Sequence, residues 1–348
     1  MVSKRILIDI GHPAHVHLFK NAIRIWQSHG HSIAITIREK DIISQLLEDY
    51  GFSYSVASKA RKGILGLTIE LIEHDFGVLK AAIKHRSQYL IGSSVSITHV
   101  APLVGAKSIV FGEDDAEVAK TFVRISYPIA SKIVTPVTLQ EDHGKKHIKY
   151  NGYQKLAYLH PKYFTPNPEI KQKLGVGKDE KYFILRFVSL DAYHDYGESG
   201  IGENLQRKLV DYLSAHGRLF ISSQRPLPED MRKYLLDINP IEMHDALNYA
   251  NIFIGDSQSM NVESAILGVP SIRINSFADR CSILQELQND YQLTYSYFPF
   301  QEKEIFELLD SWVKDDALKN KWELKKEKML NDKIDVTSWM VNFIEKLD

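Results

Sequence analysis

The chain has 348 residues, enough for two domains of ordinary size, and its 44% hydrophobic and 25% charged residues are typical of a globular protein. The net charge of −1 provides no basic field for nucleic acid, the single cysteine, Cys281, excludes an internal disulfide, and no apolar run approaches the roughly 18 residues of a membrane span. With no signal peptide visible, we expect a cytoplasmic protein without nucleic-acid partners; peripheral membrane contact stays open, although no amphipathic stretch requires one.

The amino half alternates strand and helix patterns, which predicts a mainly parallel, doubly wound sheet. Strands are predicted at Arg5–Ile10, His31–Ile37, Phe52–Val56, Gln88–Ile91, Lys107–Phe111 and Lys132–Val134. Between them the pattern predicts a loop over Gly11–His17 and helices over Leu18–Ser28, Asp41–Tyr50, Leu67–His85 and Ser96–Val104.

A second α/β pattern follows a stretch with little periodicity. Residues 140–175 are rich in proline, glycine and lysine, so we place the connection between domains there. Strands are then predicted at Lys181–Phe187 and Arg218–Ile221, and helices at Asn204–His216, Met243–Tyr249 and through the charged end from Glu302. We therefore predict an N-terminal domain at 1–150, a connection at 151–178, a C-terminal domain at 179–332 and a terminal helix at 333–348.

Residues 250–274 carry the clearest functional signal, because they predict a buried strand, a polar loop, a helix, a Gly-Val-Pro turn and a second strand. A loop that ends a strand and opens a helix holds phosphates well, since free helix N–H groups and the helix dipole face the anion. Ser257, Gln258 and Ser259 add donors, and Glu263 lies where it can accept hydrogen bonds from a ribose diol. The alternative is that a serine only caps the helix and Glu263 is solvent-exposed.

The pattern Asp-Ser-x-Ser-x-x-x-Glu-x-x-x-Leu-Gly-Val-Pro resembles the donor-nucleotide segment of GT-B glycosyltransferases and of UDP-N-acetylglucosamine 2-epimerases. That resemblance implies a GT-B-like α/β fold of two Rossmann-type domains facing a central cleft. It also implies that Ser257, Gln258 and Ser259 hold a pyrophosphate and that Glu263 binds the ribose. With the stretch Gly-His-Pro-Ala-His-Val-His-Leu-Phe-Lys-Asn at 11–21, nearly the whole chain resembles the bacterial and archaeal family called domain of unknown function 354. The resemblance further implies that the terminal helix returns to the first domain.

The histidines after the first strand are the first candidates for chemistry in the amino domain. Their loop resembles the glycine- and histidine-containing loop of lipid II glucosaminyltransferase, although only Gly11 remains of its glycines. His12 or His15 is a candidate general base, because imidazole titrates near working pH. The alternative is that one histidine caps the next helix and another packs beneath the loop. We expect no metal, because no second ligand cluster accompanies the histidines, and no cofactor.

Two further strand ends carry candidate residues. Glu113, Asp114 and Asp115 follow the strand at Lys107–Phe111, and the repulsion between adjacent carboxylates favours acid–base chemistry, with Asp115 as the candidate, unless an aspartate only caps the next helix. Gly92-Ser93-Ser94 follows another strand and is a candidate for the acceptor side, with the alternative that Ser94 only caps the next helix.

Arg186 ends the first strand of the second domain, where its guanidinium is suited to clamp a pyrophosphate. Asp191, His194 and Asp195 follow it, and a surface ion pair with one of these aspartates is the alternative for Arg186. The loop at 222–226 is a candidate for contact with the nucleotide.

Together with these residues, the resemblance to GT-B enzymes implies a nucleotide-sugar-dependent glycosyltransferase, with a carbohydrate or glycolipid acceptor, in surface polysaccharide or glycolipid synthesis. UDP is the expected nucleotide by family frequency. A UDP-sugar 2-epimerase, hydrolysing or not, would use the same nucleotide site without an acceptor. A non-catalytic nucleotide-sugar-binding protein would bind without turnover.

Overall fold

The computed structural model describes residues 2–40, 42–189 and 200–348. The chain forms two compact units: the first unit contains residues 1–163 and 333–348, and the second unit contains residues 164–332. In the described part of the chain, no helix combines the length and the apolar character that crossing a membrane requires.

The first unit is built on a seven-stranded parallel sheet with the strand order β3-β2-β1-β4-β5-β6-β7. The strands are β1 (Arg5–Ile10), β2 (Ser32–Glu39), β3 (Ser55–Lys59), β4 (Tyr89–Gly92), β5 (Lys107–Phe111), β6 (Lys132–Pro136) and β7 (His147–Tyr150). The helices are α1 (Pro13–Ser28), α2 (Ile43–Asp49), α3 (Gly63–His85), α4 (Ser96–Leu103), α5 (Lys120–Ser126), α6 (Leu156–Leu159) and α14 (Val336–Glu345). Four apolar residues of β1 are fully buried, as expected for a parallel strand covered on both faces: Ile6, Leu7, Ile8 and Ile10.

The first unit differs from the predicted elements at several points. Helix α1 begins at Pro13, so His15 and His17 lie in the helix and not in a loop. Proline at the first helical position explains this, because its fixed φ suits a helix start and its missing N–H needs no partner there. Strand β7, which ends just before the predicted connection at 151–178, was not predicted, because its alternation over His147–Tyr150 is too short to stand out. Asp41, the first residue of one predicted helix, lies outside the described residues.

The second unit contains a five-stranded parallel sheet with the order β12-β11-β10-β8-β9. The strands are β8 (Tyr182–Phe187), β9 (Arg218–Ser223), β10 (Ile252–Gly255), β11 (Ser271–Ile274) and β12 (Thr294–Tyr297). The helices are α7 (Glu169–Lys173), α8 (Glu203–Ser214), α9 (Met243–Tyr249), α10 (Gln258–Leu267), α11 (Ser282–Asn289), α12 (Glu302–Val313) and α13 (Leu318–Asp332). Strand β12 was not predicted, because three of its four residues are only partly buried and lack an apolar run.

Each sheet has one point where the chain reverses the direction in which strands are added. In the first unit this switch lies between β1 and β4, and in the second it lies between β8 and β10. Helix loops diverge at such a point and leave a crevice at the carboxyl ends of the strands, which is where open α/β sheets bind ligands. Ligand sites are therefore expected at the carboxyl ends of β1 and β4 and at those of β8 and β10.

Candidate functional site

The loop from β10 to α10 lies at the switch point of the second unit. Ser257 is the N-cap of α10, and its Oγ accepts a hydrogen bond from the N–H of Met260 at 3.3 Å. Ser257 thus caps the helix, as the alternative in the sequence analysis expected. One side chain, however, satisfies only one of the four N–H groups that a helix start leaves without carbonyl partners. The half-buried residues Gln258 and Ser259 form the first turn, where such groups attract an anion.

Asp256, directly before this cap, is a buried anchor. Its Oδ1 accepts the N–H of Val188 at 2.8 Å, its Oδ2 accepts the N–H of Ile201 at 3.3 Å, and Arg225 forms an ion pair with it. Burial raises the pKa of this carboxyl group, and the opposing effect of Arg225 and of the backbone donors is smaller. Asp256 therefore connects the segments after β8 and β9 to the start of α10. It is the first residue of the sequence motif, but nothing in the sequence indicated this role.

Arg186 lies beside this loop on the neighbouring strand. It is paired in register with Gly255, and a Cβ atom on that glycine would lie 2.8 Å from the Cβ of Arg186, so only glycine lets the two strand ends pass. The Nη1 of Arg186 donates to the Oγ of Ser222 at 2.5 Å, which steers the guanidinium along the ends of β8 and β9. The predicted alternative partners Asp191 and Asp195, together with His194, lie outside the described residues.

A cavity of about 380 Å³ lies at the carboxyl ends of β8 and β9. Phe187, Ser223, Arg225 and Pro226 contribute to its wall, and the guanidinium of Arg225 lies 5.6 Å from the ring centre of Phe187. The carboxyl ends of β8 and β10 thus bring together the guanidinium of Arg186 and the N-terminus of α10, while Arg225, which pairs with Asp256, lines a cavity at the end of β9. This combination is chemically suited to a phosphate-bearing ligand.

Glu263 is buried in the middle of α10. Its Oε1 lies 3.3 Å from the Nε2 of His244 on α9, and both side chains are almost fully enclosed. The alternative of a solvent-exposed Glu263 is wrong. His244 was not among the predicted site residues; its signal in the sequence was a histidine on the helix that directly precedes β10.

In the first unit, the structure separates the roles of the two candidate histidines. His12 is the N-cap of α1, and its Nδ1 accepts a hydrogen bond from the N–H of Ala14 at 3.2 Å. His15 lies in the first turn, with its ring centre 5.9 Å from that of His12. Within the described ranges, the buried Nδ1 of His15 has no hydrogen-bond partner, whereas the Nδ1 of His12 is engaged by the helix cap.

The charge state of His15 is set by its surroundings. Burial lowers its pKa to about 3, and the nearby His12 and Lys155 add to this effect. The imidazole is therefore neutral at physiological pH and has a lone pair available. A bound anion near this ring would raise the pKa toward the range in which a general base is effective.

In the acidic loop after β5, Glu113 is a carboxylate with buried partners, and it was not singled out by the sequence. Glu113 forms an ion pair with Lys155, both side chains being about nine-tenths buried, and its Oε1 accepts the N–H of Gln154 at 2.6 Å. The carbonyl of Asp115 accepts the N–H groups of Val118 and Ala119 at 2.8 and 3.1 Å, so Asp115 opens the next turn through its backbone. Glu113 and Lys155 thus lie in the neighbourhood of His15.

A buried network at the end of β1 was not predicted, although one of its members, Ser94, was a candidate for the acceptor side. The carboxylate of Asp9 accepts hydrogen bonds from Thr36 at 2.7 Å, from Ser94 and from the Nε2 of His74 at 2.9 Å. The Nδ1 of His74 lies 2.7 Å from the Oγ of Ser58. The signal in the sequence was a charged residue inside an otherwise apolar strand, because such a residue needs partners when the strand is buried.

The protonation states of this network follow from its geometry. Burial by itself would raise the pKa of Asp9, but the charge of His74 and the three hydrogen-bond donors lower it below its usual value. Burial would likewise lower the pKa of His74, but Asp9 opposes this and raises it. The network is therefore an ion pair. Among residues 2–40, 42–189 and 200–348, no group of three or more potential ligands is arranged to hold a metal ion.

Known proteins resemble the chain in fold, and others resemble it in sequence. The spinosyn forosaminyltransferase SpnP has a TM-score of 0.66 with 13% identity over 99% of each chain. S. aureus MnaA, in a co-structure with UDP, has a TM-score of 0.70 with 11% identity over 98% of this chain and 96% of its own. These likenesses confirm the predicted fold, that of GT-B glycosyltransferases and UDP-N-acetylglucosamine 2-epimerases.

In sequence, the chain is 25% identical over 287 residues to "Uncharacterized protein MJ0665" of Methanocaldococcus jannaschii, covering 78% of this chain and 82% of that protein. A family model described as "Protein of unknown function (DUF354)" matches residues 4–341. Because the match extends over nearly the whole length, the chain belongs to the DUF354 family.

Proposed function

We propose that this protein is a nucleotide-sugar-dependent glycosyltransferase whose second unit binds the donor. The observation that carries the proposal is the convergence of Arg186 with the first turn of α10 at the switch point of the second unit. The pyrophosphate would lie against the N–H groups and side chains of Ser257, Gln258 and Ser259, with Arg186 neutralising the charge that grows on the leaving nucleotide. Glu263 would accept hydrogen bonds from the ribose.

The first unit would hold the acceptor and supply the base. His15 is the favoured base because it is neutral and its Nδ1 is unoccupied in the described structure, while His12 and Asp115 are the remaining candidates. The acceptor hydroxyl would lose its proton to this base as the sugar is transferred. UDP as the nucleotide, a carbohydrate or glycolipid acceptor, a role in surface polysaccharide or glycolipid synthesis and a cytoplasmic location belong to the same proposal.

A UDP-sugar 2-epimerase is the second candidate, and a specific observation favours it. The first unit contains two buried acid–base pairs at strand ends, Glu113 with Lys155 and Asp9 with His74. An epimerase needs such groups to remove and return a proton at the sugar, and it needs no acceptor. The fold is shared by both kinds of enzyme, so the products formed without an acceptor separate the two candidates.

The test is NMR of the purified protein with UDP-, GDP-, CMP- and dTDP-sugars in the absence of acceptor. We expect line broadening for one nucleotide sugar without its conversion, as for a transferase that awaits its acceptor. Formation of a C2 epimer, with or without release of the nucleotide, would make the protein an epimerase. No broadening for any of the sugars would contradict the proposal. A His15→Gln variant should bind the donor as the wild type does and lose turnover once an acceptor is known.

Glu263 provides a sharper test of the ribose contact. Because Glu263 is buried against His244, glutamine is the suitable replacement: it retains the shape and removes the charge. We expect Glu263→Gln to weaken UDP binding by at least about 1 kcal/mol, the scale of a hydrogen bond to a charged group, in isothermal titration calorimetry. The same variant and the wild type should bind 2′,3′-dideoxy-UDP with almost equal affinity, because both hydroxyl donors of the ribose are already missing from that nucleotide.

The matched control is Glu323→Gln, which changes an exposed glutamate of the same unit that pairs with Lys326. It should bind both nucleotides like the wild type. An equal loss of affinity for UDP and 2′,3′-dideoxy-UDP in Glu263→Gln would show that the change disturbs α10 and not a ribose contact.

A further inference from the structure

Helix α3 has its polar side facing inward. Its four buried residues are Glu70, His74, Val78 and Ala82, which recur every four positions and so share one face. The first two are charged partners within the fold, Glu70 with Arg38 and His74 with Asp9. The inner face of the amino-terminal half of α3 is therefore occupied by ion pairs and not by the usual apolar core residues.

The outward face of the same helix is apolar. Five large residues on it expose between 48% and 81% of their surface: Leu65, Ile69, Ile72, Phe76 and Ile83. At 3.6 residues per turn, Leu65, Ile72 and Phe76 fall within a sector of roughly 40°, opposite the buried face. A row of large apolar side chains along a 23-residue helix is an interaction surface and not a scatter of single exposed residues.

The charges around this stripe are asymmetric. The three acidic residues of the helix all have cationic or histidine partners, Glu70 with Arg38, Glu73 with Arg61 and Asp75 with His99. By contrast, Lys62, Lys80 and Lys84 are exposed and form no ion pair with any residue that the structure describes. The surface thus presents free positive charge beside its apolar stripe, although the whole chain carries −1.

We propose that α3 docks in the interface of an anionic lipid bilayer, with its axis parallel to the membrane plane. The apolar stripe would enter the boundary between headgroups and acyl chains, and the lysines would extend along its edge to the lipid phosphates. This inference goes beyond the proposed function and holds for any donor nucleotide. The sequence left peripheral membrane contact open because no amphipathic stretch required one; we infer that the exposed apolar side of α3 and its lysines form such a stretch.

A second copy of the chain is the competing occupant, because the three- and four-residue spacing also suits a helix partner. The charges argue against it. In an antiparallel pair Lys62 of one helix would lie near Lys84 of the other, and in a parallel pair each lysine would face its equivalent. Both arrangements place like charges together, which costs affinity, whereas anionic headgroups neutralise all three lysines.

The test is co-sedimentation of the full chain with vesicles of phosphatidylcholine alone and of phosphatidylcholine mixed with phosphatidylglycerol. We expect binding to the mixed vesicles and little to the neutral ones, and high salt should weaken it. The double variant Leu65→Gln, Phe76→Gln should bind the mixed vesicles at least about tenfold more weakly, because it removes two of the most exposed apolar side chains of the stripe. Both positions are exposed, so the variant should fold.

The control is the double variant Leu324→Gln, Phe300→Gln, which removes equally exposed apolar residues of the second unit. It should bind vesicles as the wild type does. No binding of the wild type to mixed vesicles, or an equal loss in both double variants, would overturn the proposal. So would a dimer in light scattering that becomes a monomer in Leu65→Gln, Phe76→Gln without any vesicle binding, since the stripe would then join two copies.

Discussion

Asp9→Asn is expected to destabilise the first unit by roughly 3–5 kcal/mol, the cost of breaking a buried ion pair by removing one partner. Asp9 is fully buried, and its carboxylate joins Thr36 of β2, His74 of α3 and Ser94 after β4. Asparagine has nearly the same shape, so the loss reflects the charge left on His74 and the lost acceptors, and not a cavity. Urea unfolding followed by circular dichroism measures it.

The same variant should show a defined pH dependence. The folded state raises the pKa of His74, so its contribution is full below about pH 6.5 and is lost as the pH rises through the raised value. The folded state lowers the pKa of Asp9, so its contribution is full above about pH 3.9 and is lost in more acidic solution. The destabilisation by Asp9→Asn should therefore be larger at about pH 5.5 than at about pH 8.5.

Helix α3 offers the matched control for this prediction. Asp75 also pairs with a histidine, His99, at 2.8 Å, but both side chains are more than a quarter exposed. Asp75→Asn should therefore cost at most about 1 kcal/mol, as is typical of an ion pair open to solvent. If Asp9→Asn cost no more than Asp75→Asn, or if its effect grew with pH, the ion pair assigned to Asp9 and His74 would be wrong.

Arg186→Gln should weaken the binding of UDP by about 1.5–3 kcal/mol, or roughly 10- to 100-fold, as expected when a charged hydrogen-bond donor to a phosphate is removed. Arg186 ends β8 beside the loop that opens α10, and Ser222 holds its guanidinium in place. Arg186→Lys should recover only part of the affinity, because an ammonium group cannot make the two parallel hydrogen bonds of a guanidinium. Calorimetric titration with UDP measures both variants.

Arg218→Gln is the control for Arg186, because Arg218 is an exposed arginine at the opposite, amino-terminal end of β9 and pairs with Glu180. Its UDP affinity should equal that of the wild type. A folded Arg186→Gln protein with wild-type UDP affinity would remove Arg186 from the proposed donor site.

Local sequence patterns were sufficient for the elements around the donor site. Strand β10, the cap at Ser257, helix α10 and strand β11 depend on a short apolar run, a polar cap and a Gly-Val-Pro stop, all within 25 consecutive residues. The bounds of β1 and β5 were predicted for the same reason, since each is a compact apolar run.

Contacts between residues that are distant in the sequence could not be predicted from such local patterns. Asp9 and His74 are 65 positions apart, and Glu113 and Lys155 are 42 apart, so only the folded sheet brings each pair together. The outward direction of the apolar face of α3 was equally hidden, because periodicity identifies a stripe on a helix but not the side on which the rest of the protein lies. The sequence predicted a long helix there, and the structure supplied its orientation.

The inward ion pairs of α3 also fix the angle of that helix about its own axis. Half a turn of rotation would bury Leu65, Ile72 and Phe76 against the sheet, an outcome that hydrophobic burial alone would favour. It would also pull His74 away from Asp9 and leave a fully buried carboxylate without its counter-ion. The ion pairs of Glu70 and His74 therefore oppose rotation of α3 about its axis. They keep its apolar side exposed to water even when no membrane is bound.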